Sequence, residues 1–220
     1  MLAPKLRPLG LALACWLLPL SALDADAGPR SRPIRTGQTT CYDTAGTLIP
    51  CVLTGQDGDL QRGEPRSYAD EGNGTLRDKR AGLTWEKLSD DDSIHDKDNQ
   101  YFWDEAFEKI DALNAMSFAG FNDWRVPNAF ELMTLLFHGS TDPALAAAFD
   151  SGCAPACTVL TCSCKGSANT LYWTSTSYAL QPLAAWVVNF NSAQTYAADK
   201  DGFKMNVRAV RGGTVAGGGN

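Results

Sequence analysis

The chain has 220 residues, 44% of them hydrophobic, and a formal net charge of −6. This length and composition are sufficient for one globular domain with a sizeable core. The acidic balance argues against nucleic acid and anionic membranes as main partners, because both repel a negatively charged surface.

The N-terminus has the pattern of a secretory signal peptide. Lys5 and Arg7 precede an apolar run over residues 9–23, and Ala25-Asp26-Ala27 matches the small-x-small rule of signal peptidase. We predict a signal peptide over residues 1–27, and therefore a secreted or periplasmic protein. No later segment reaches the roughly 18 consecutive apolar residues of a membrane helix, so no membrane span is predicted.

Six of the seven cysteines follow the predicted cleavage site, and an even number in an exported protein indicates disulfides. Cys41 and Cys51 flank a turn-rich segment. We predict that they close a small hairpin inside an N-terminal arm, residues 28–66. A disulfide loop of this length should stabilise the fold by about 2–3 kcal/mol.

The other four cysteines are clustered, at positions 153, 157, 162 and 164. A bond between Cys162 and Cys164 is disfavoured, because side chains two apart in extended backbone are poorly placed to join. Two sets of pairings remain, Cys153–Cys162 with Cys157–Cys164 or Cys153–Cys164 with Cys157–Cys162. A zinc site with four thiolate ligands is the alternative to disulfides.

An acidic loop follows a predicted hairpin, whose strands lie near residues 70–78 and 82–86. The loop, residues 89–99, offers carboxylate and amide oxygens at Asp90, Asp91, Asp92, Asp96, Asp98 and Asn99. Its spacing differs from that of the helix-loop-helix calcium site, so a solvated loop is the simpler interpretation. If calcium binds, the candidate ligands are Asp90, Asp92, Asp96 and Asp98; no other cofactor is predicted.

Two helices are predicted in the middle of the chain. Apolar residues spaced by three and four from Trp103 to Leu113 indicate an amphipathic helix that packs on a sheet. Asn128 and Glu131 have the spacing of a capping box, which predicts a second, short core helix of about ten residues. Its predicted apolar face comprises Phe130, Met133, Leu136 and Phe137.

The second helix is preceded by a corner of structural residues. Asp123 and Arg125 place opposite charges on either side of Trp124, and Pro127 favours extended backbone just before the helix. We interpret this segment as an ion-paired corner with Trp124 in the core. The set of structural residues is Asp123, Trp124, Arg125, Pro127, Asn128 and Glu131.

Strand-like patterns dominate the C-terminal part. Residues 171–177, 185–191 and 205–211 are predicted to be neighbouring antiparallel strands. Residues 214–220 have no periodicity and are predicted to be a flexible tail. The expected fold is α+β, with two core helices packed on a twisted antiparallel sheet and stapled by disulfides.

The domain predicted over residues 67–213 resembles a known family, a domain of unknown function named for the C-terminal domain of the collagen-like adhesin Lcl, and the match covers roughly Thr36 to Gly213. The motifs that carry the resemblance are Gly74-Thr75, Asp78, Gly82-Leu83-x-Trp85, Trp103-x-x-Ala106, Gly120-x-x-Asp123-Trp124-Arg125-Val126-Pro127-x-x-x-Glu131-Leu132, Tyr172-Trp173-Thr174-Ser175, Ala185-Trp186 and Val207-Arg208-Ala209-Val210-Arg211-Gly212-Gly213. The family usually has leucine in place of Val126. The resemblance implies an exported domain used in surface recognition, with no established reaction.

The turn at Arg125-Val126-Pro127-Asn128 and the closing arginine-rich strand also resemble formylglycine-generating enzymes. This second resemblance implies a C-type-lectin-like fold. It does not by itself transfer an activity.

The leading functional hypothesis is a non-enzymatic recognition or adhesion module for a glycan or protein surface. Its candidate ligand-binding residues are Trp173, Tyr178 and Arg208. One alternative is a structural subunit of an envelope or extracellular assembly, whose arm pairs with a neighbour's sheet edge. A less favoured one is a formylglycine-generating type oxidase with Cys162 and Cys164 as reactive thiols. His95 and His138 are expected to be solvent-facing or capping rather than catalytic.

Overall fold

The computed structural model describes residues 33–166 and 170–213, which belong to one compact unit, Arg32–Asn220. The predicted signal peptide, residues 1–27, and the predicted tail, residues 214–220, lie outside the described residues. The first residues of the predicted arm, 28–32, lie outside them as well.

The N-terminal arm contains the predicted stapled hairpin. Strands β1 (Cys41–Tyr42) and β2 (Leu48–Ile49) pair antiparallel and are followed by a single helical turn, α1 (Asp57–Leu60). The Cys41–Cys51 disulfide links the two sides of the hairpin, as the sequence predicts. The Asp43 side chain accepts hydrogen bonds from the backbone of Ala45 and Thr47, which fixes the turn.

The first large sheet joins the beginning and the end of the domain. It contains β3 (Tyr68–Asp70), β4 (Thr75–Asp78), β5 (Leu83–Glu86) and β9 (Val210–Gly212), in that order. The β4–β5 pair is the predicted hairpin. All neighbouring strands of this sheet are antiparallel.

The second sheet consists of consecutive antiparallel strands, β6 (Leu171–Ser177), β7 (Ala184–Asn189) and β8 (Gln194–Asp199). The pairing of the first two was predicted. The third strand was not, because its sequence does not alternate between apolar and polar residues.

The predicted strand pairing of residues 205–211 was wrong. This segment does not pair antiparallel with β7. Asn206 forms a parallel bridge with Tyr172, and Val210 pairs with Trp85 of β5 in the other sheet. Residues 205–210 are all buried, because the segment passes between packed layers on both sides.

The two predicted helices differ in length. Helix α2 (Glu105–Ala115) buries Ala106, Ile110 and Leu113, but α3 (Ala129–Met133) is much shorter than predicted. The chain leaves the helix because the backbone of Leu135 and Phe137 bonds instead to residues 144–146. No helix in the described ranges is long and apolar enough to span a membrane.

The predicted apolar face of the second helix was also partly wrong. Phe130 is 82% exposed and Met133 is 37% exposed, whereas Leu132, Leu135 and Leu136 are buried. Within the helix it is Leu132 that faces the core, and the burial of both Leu135 and Leu136 follows from the shorter helix, because residues after Thr134 no longer follow helical spacing. Within residues 33–166 and 170–213, the domain thus has one long core helix rather than two, and strands β3 to β9 form two sheets rather than one.

The clustered cysteines form Cys153–Cys164 and Cys157–Cys162 disulfides, which is one of the two predicted sets of pairings. Together with the first disulfide they support the predicted stapled α+β domain. Cys162 and Cys164 are buried, and Cys153 is exposed.

The core has two parts, and the second sheet contributes to both. Tyr172 and Val188 pack with β4, β5 and the disulfide-linked segment on one face. Trp173 and Val187 pack with α2 and Trp124 on the other face. Strands β6 and β7 are therefore covered on both sides, and β8 forms the outer edge.

Candidate functional site

The Asp-Trp-Arg corner has the predicted structural geometry. Trp124 is 3% exposed, and its indole N–H donates to Phe118 O at 3.1 Å. Asp123 pairs with Arg211 at 2.7 Å, and Arg125 pairs with Glu131 at 2.6 Å.

The capping box at the start of α3 was also predicted correctly. Asn128 Oδ1 accepts from the Glu131 backbone, and Glu131 Oε2 accepts from the Asn128 backbone, each at 2.9 Å. Pro127 is buried, and its carbonyl accepts from Ser175 at 2.8 Å. The corner therefore ties α3 to β6 and forms no open site.

Two of the three predicted ligand-binding side chains are in the core. Trp173 is 0% exposed, and its indole N–H donates to Tyr101 O at 2.9 Å. Arg208 is 1% exposed and donates to backbone carbonyls. Neither reaches solvent, so their assignment to a ligand surface was wrong. Tyr178 is half-buried against Trp186, with ring centroids 5.2 Å apart.

The acidic loop brings together three of its four candidate calcium ligands. Carboxylate oxygens of Asp90, Asp96 and Asp98 lie within 4.8 Å of one another. Asp92 is not part of this group and is exposed. The ammonium of Lys97 lies 2.6 Å from Asp98 and 3.3 Å from Asp90.

The Lys97 ammonium therefore supplies a positive charge between the carboxylates of Asp90 and Asp98. The hydrogen bond to Asp98 is the main cause that raises the pKa of Lys97. Asp96 uses its own oxygens to accept backbone hydrogen bonds from Asp91, Asp92 and Asp98. Calcium binding would require Lys97 to move away, and it stays a prediction.

A buried charge network, which the sequence did not predict, lies next to this loop. Glu86 Oε1 is 2.8 Å from His95 Nδ1, and Glu86 Oε2 accepts from Lys109 Nζ at 2.9 Å and from Ala209 N at 2.8 Å. Burial alone would raise the pKa of Glu86. The Lys109 charge, the His95 hydrogen bond and the backbone donor outweigh that effect and lower it to about 2.

This network joins four parts of the chain, and its carboxylate and ammonium groups are buried. Glu86 is 0% and Lys109 4% exposed, and Lys109 also donates to Val207 O at 3.0 Å. Burial lowers the pKa of Lys109, against the opposing charge of Glu86. His95 is buried here, so the expectation that it faces solvent or caps a helix was wrong; His138 is exposed, as expected.

A groove that is open to solvent lies at the outer edge of the second sheet. Its volume is about 370 Å³, which falls in the range of about 300–1,000 Å³ typical of ligand pockets. The residues that line the groove are Leu171, Tyr196, Ala197, Ala198, Asp199, Phe203, Lys204 and Met205.

The groove combines aromatic side chains with charged groups at its rim. Tyr196 is 37% and Phe203 60% exposed, while Met205, at 3%, forms part of the floor. The Tyr196 hydroxyl can donate a hydrogen bond at neutral pH, as tyrosine ordinarily does, and burial raises its pKa further. Asp199 offers an exposed carboxylate, and Lys204 pairs with Glu105 at 3.0 Å.

A second aromatic element supports the same end of the sheet. The Lys200 ammonium lies 3.9 Å from the centroid of the Trp103 ring, a cation–π contact. The indole N–H of Trp103 donates to Thr174 O at 2.9 Å. These contacts hold the turn after β8 in place, and that turn carries Phe203.

Sequence reasoning missed both the network and the groove, although each left a signal. Lys109 falls on the apolar face of its helix, which is unusual for a lysine without a buried partner. Phe203 is a lone aromatic residue in a charged turn, Asp199-Lys200-Asp201-Gly202. Tyr196 gave no comparable signal, since single exposed tyrosines are common.

Comparison with known families gives a match over most of the described domain. The model of the family described as the Lcl C-terminal domain matches residues 74–211, which is more than half of the chain. The matched range begins just before β4 and includes the acidic loop, the charge network and the groove. No curated protein matches the chain.

Proposed function

Because the chain belongs to the Lcl C-terminal domain family, we propose that it is an exported, non-enzymatic recognition module that binds a glycan or a protein surface. The family takes its name from an adhesin, which supports a role in attachment. The three disulfides are compatible with a secreted or periplasmic location.

The groove at the edge of the second sheet carries this proposal. Aromatic rings beside hydrogen-bonding groups suit sugar rings, which present one apolar face and a rim of hydroxyls. Tyr196 and Phe203 supply the rings, and Asp199 supplies an acceptor. The proposed ligand-contacting set is therefore these groove residues and not Trp173 or Arg208.

A C-type-lectin-like fold is part of the same proposal. The turn and the closing strand that carry the resemblance to formylglycine-generating enzymes lie side by side. Arg125 N donates to Val210 O at 2.9 Å, and Val210 N donates to Arg125 O at 3.0 Å. The oxidase activity of that class has no support, because all six cysteines in the described residues are in disulfides.

A structural subunit remains the second candidate function, and the N-terminal arm favours it. Val52 is 78% and Leu53 94% exposed beside the stapled hairpin. Exposed aliphatic side chains at a rigid tip are suited to contact a neighbouring subunit.

A glycan array probed with the purified protein, once with calcium and once with a chelator, tests the recognition function. We expect binding to a restricted set of glycans. Binding that persists in chelator would show that the acidic loop is not required. No binding in either condition, together with self-association in sedimentation, would favour the structural subunit instead.

A further inference from the structure

The two disulfides of the cysteine cluster lie against each other. The sulfur of Cys164 is 3.8 Å from that of Cys157 and 3.9 Å from that of Cys162, although it is bonded to neither. The sulfur of Cys153 is within 4.8 Å of those of Cys157 and Cys164. The fold therefore gathers the sulfurs of Cys153, Cys157 and Cys164, and the sulfur of Cys162 adjoins this group through Cys157 and Cys164.

The non-bonded distances from Cys164 match the sulfur separations of a metal-bound set of thiolates. Four sulfurs at about 2.3 Å from one zinc ion in a tetrahedron lie about 3.8 Å from one another. The non-bonded distances from Cys164 already have this value. Reduction of the disulfides would let the bonded sulfurs move apart without requiring the backbone to bring any of them from a distance.

The surroundings also fit a negatively charged metal centre. The backbone N–H of Ala154 points at the sulfur of Cys157, at 3.5 Å, a contact that would stabilise a thiolate. Arg208 donates to the carbonyl of Cys164 at 2.6 Å and is almost fully buried. Among the described residues, no carboxylate lies within ion-pair distance of Arg208, so its charge lacks a direct counter-ion.

We propose that Cys153, Cys157, Cys162 and Cys164 form a tetrathiolate zinc site in the reduced chain, and that the two disulfides replace this site on oxidation. A dithiol or phosphine supplies two electrons to each disulfide, and two protons per disulfide complete the four thiols. Zinc binding then releases four protons and leaves a site of net charge −2, of which the Arg208 guanidinium offsets one charge.

The same site would hold the acidic loop in place before oxidation. Cys164 N donates to Leu88 O at 2.8 Å, and Asp90 N donates to Cys157 O at 2.9 Å. Leu88 and Asp90 lie at the start of the acidic loop. Metal binding by the cysteines would thus order the loop in a chain that has not yet formed its disulfides.

Cobalt is the probe for this proposal, because a cobalt tetrathiolate has intense charge-transfer absorption. The protein is reduced with a phosphine under anaerobic conditions, the reductant is removed, and Co²⁺ is added stepwise. We expect the tetrathiolate spectrum to saturate at one ion per chain and to disappear when Zn²⁺ is added. The oxidised protein should give no such spectrum.

Two double variants separate this site from other thiols. C41S/C51S removes the disulfide of the arm and should leave the cobalt spectrum unchanged, whereas C157S/C162S should abolish it. In the reduced wild-type protein, Zn²⁺ should also raise Tm, with no effect on the oxidised protein. A six-coordinate cobalt spectrum in the reduced wild type, or a tetrathiolate spectrum retained in C157S/C162S, would overturn the proposal.

Discussion

The buried charge network around Glu86 and the groove around Tyr196 use similar residue types in opposite environments. In the network, a buried carboxylate meets a buried lysine and a largely buried histidine, and Glu86 and Lys109 pair at 2.9 Å. In the groove, a carboxylate, a lysine and two aromatic rings remain open to solvent. The first arrangement fixes the fold, and the second is free to bind a ligand.

The difference shows that residue type alone does not identify a recognition site. Trp173 and Arg208 have the chemistry of ligand-binding residues, but both satisfy their hydrogen bonds inside the core. Phe203 has no polar group, yet it is the most exposed aromatic residue of the groove. Exposure decides which of these side chains can contact a partner.

The largest effect is expected from removal of the buried carboxylate charge. Glu86→Gln leaves Lys109 buried without its counter-ion, which should lower the free energy of unfolding by about 3–5 kcal/mol. Urea unfolding measures this change. The control is Glu108→Gln on the exposed side of α2, for which we expect a change within about 0.5 kcal/mol. Equal effects of the two variants would contradict the role assigned to the network.

Acid should remove the same contribution from the wild-type protein. The pKa of Glu86 falls from its usual 4.5 to about 2 in the folded state, so the unfolded chain takes up the proton first as the pH decreases. The stabilisation is fully present above pH 4.5 and is lost as the pH approaches 2. We expect the difference in Tm between wild type and Glu86→Gln to shrink as the pH falls from 4.5 towards 2. A constant difference would contradict the lowered pKa of Glu86 in the folded state.

An exposed ion pair should matter much less. Asp123 pairs with Arg211 at the corner, and the Asp123 side chain is 53% exposed. The hydrogen bond from Arg211 is the main cause that lowers the pKa of Asp123. Because solvent screens this pair, Asp123→Asn should cost at most about 1 kcal/mol, measured by urea unfolding. A loss of stability as large as that of Glu86→Gln would show that solvent does not screen the Asp123–Arg211 pair.

The smallest effect on stability is expected in the groove. Phe203→Ala removes a ring that is mostly exposed, so the free energy of unfolding should change by no more than about 0.5 kcal/mol. Thermal unfolding of the variant beside wild type checks this. A marked loss of stability would place Phe203 in the core rather than at a binding surface.

Local signals allowed much of the fold to be predicted from the sequence. The β4–β5 hairpin, the capping box of Asn128 and Glu131, and the disulfide of the arm depend on residues close together in the chain. The path of residues 205–211 could not be predicted, because alternation of apolar residues indicates a half-buried strand, whereas residues 205–210 are buried on both sides. The short length of α3 likewise depends on contacts with residues 144–146.

The candidate site was less predictable than the fold. The groove exists because residues 203–205 pass beside β8 and Leu171 of β6, which brings together parts of the chain that share no pattern. His95 was expected at the surface, and only the tertiary structure places Glu86 beside it. A lysine or glutamate within an apolar pattern is the signal that could have identified the network.

The most direct test of the recognition surface compares two exposed phenylalanines. Phe203 lines the groove, and Phe130, which is 82% exposed, lies outside it on α3. Calorimetric titration of a glycan identified on the array should show at least a tenfold loss of affinity for Phe203→Ala and no change for Phe130→Ala, with equal Tm for both. Unchanged affinity in Phe203→Ala, or equal losses in the two variants, would contradict the assignment of the groove.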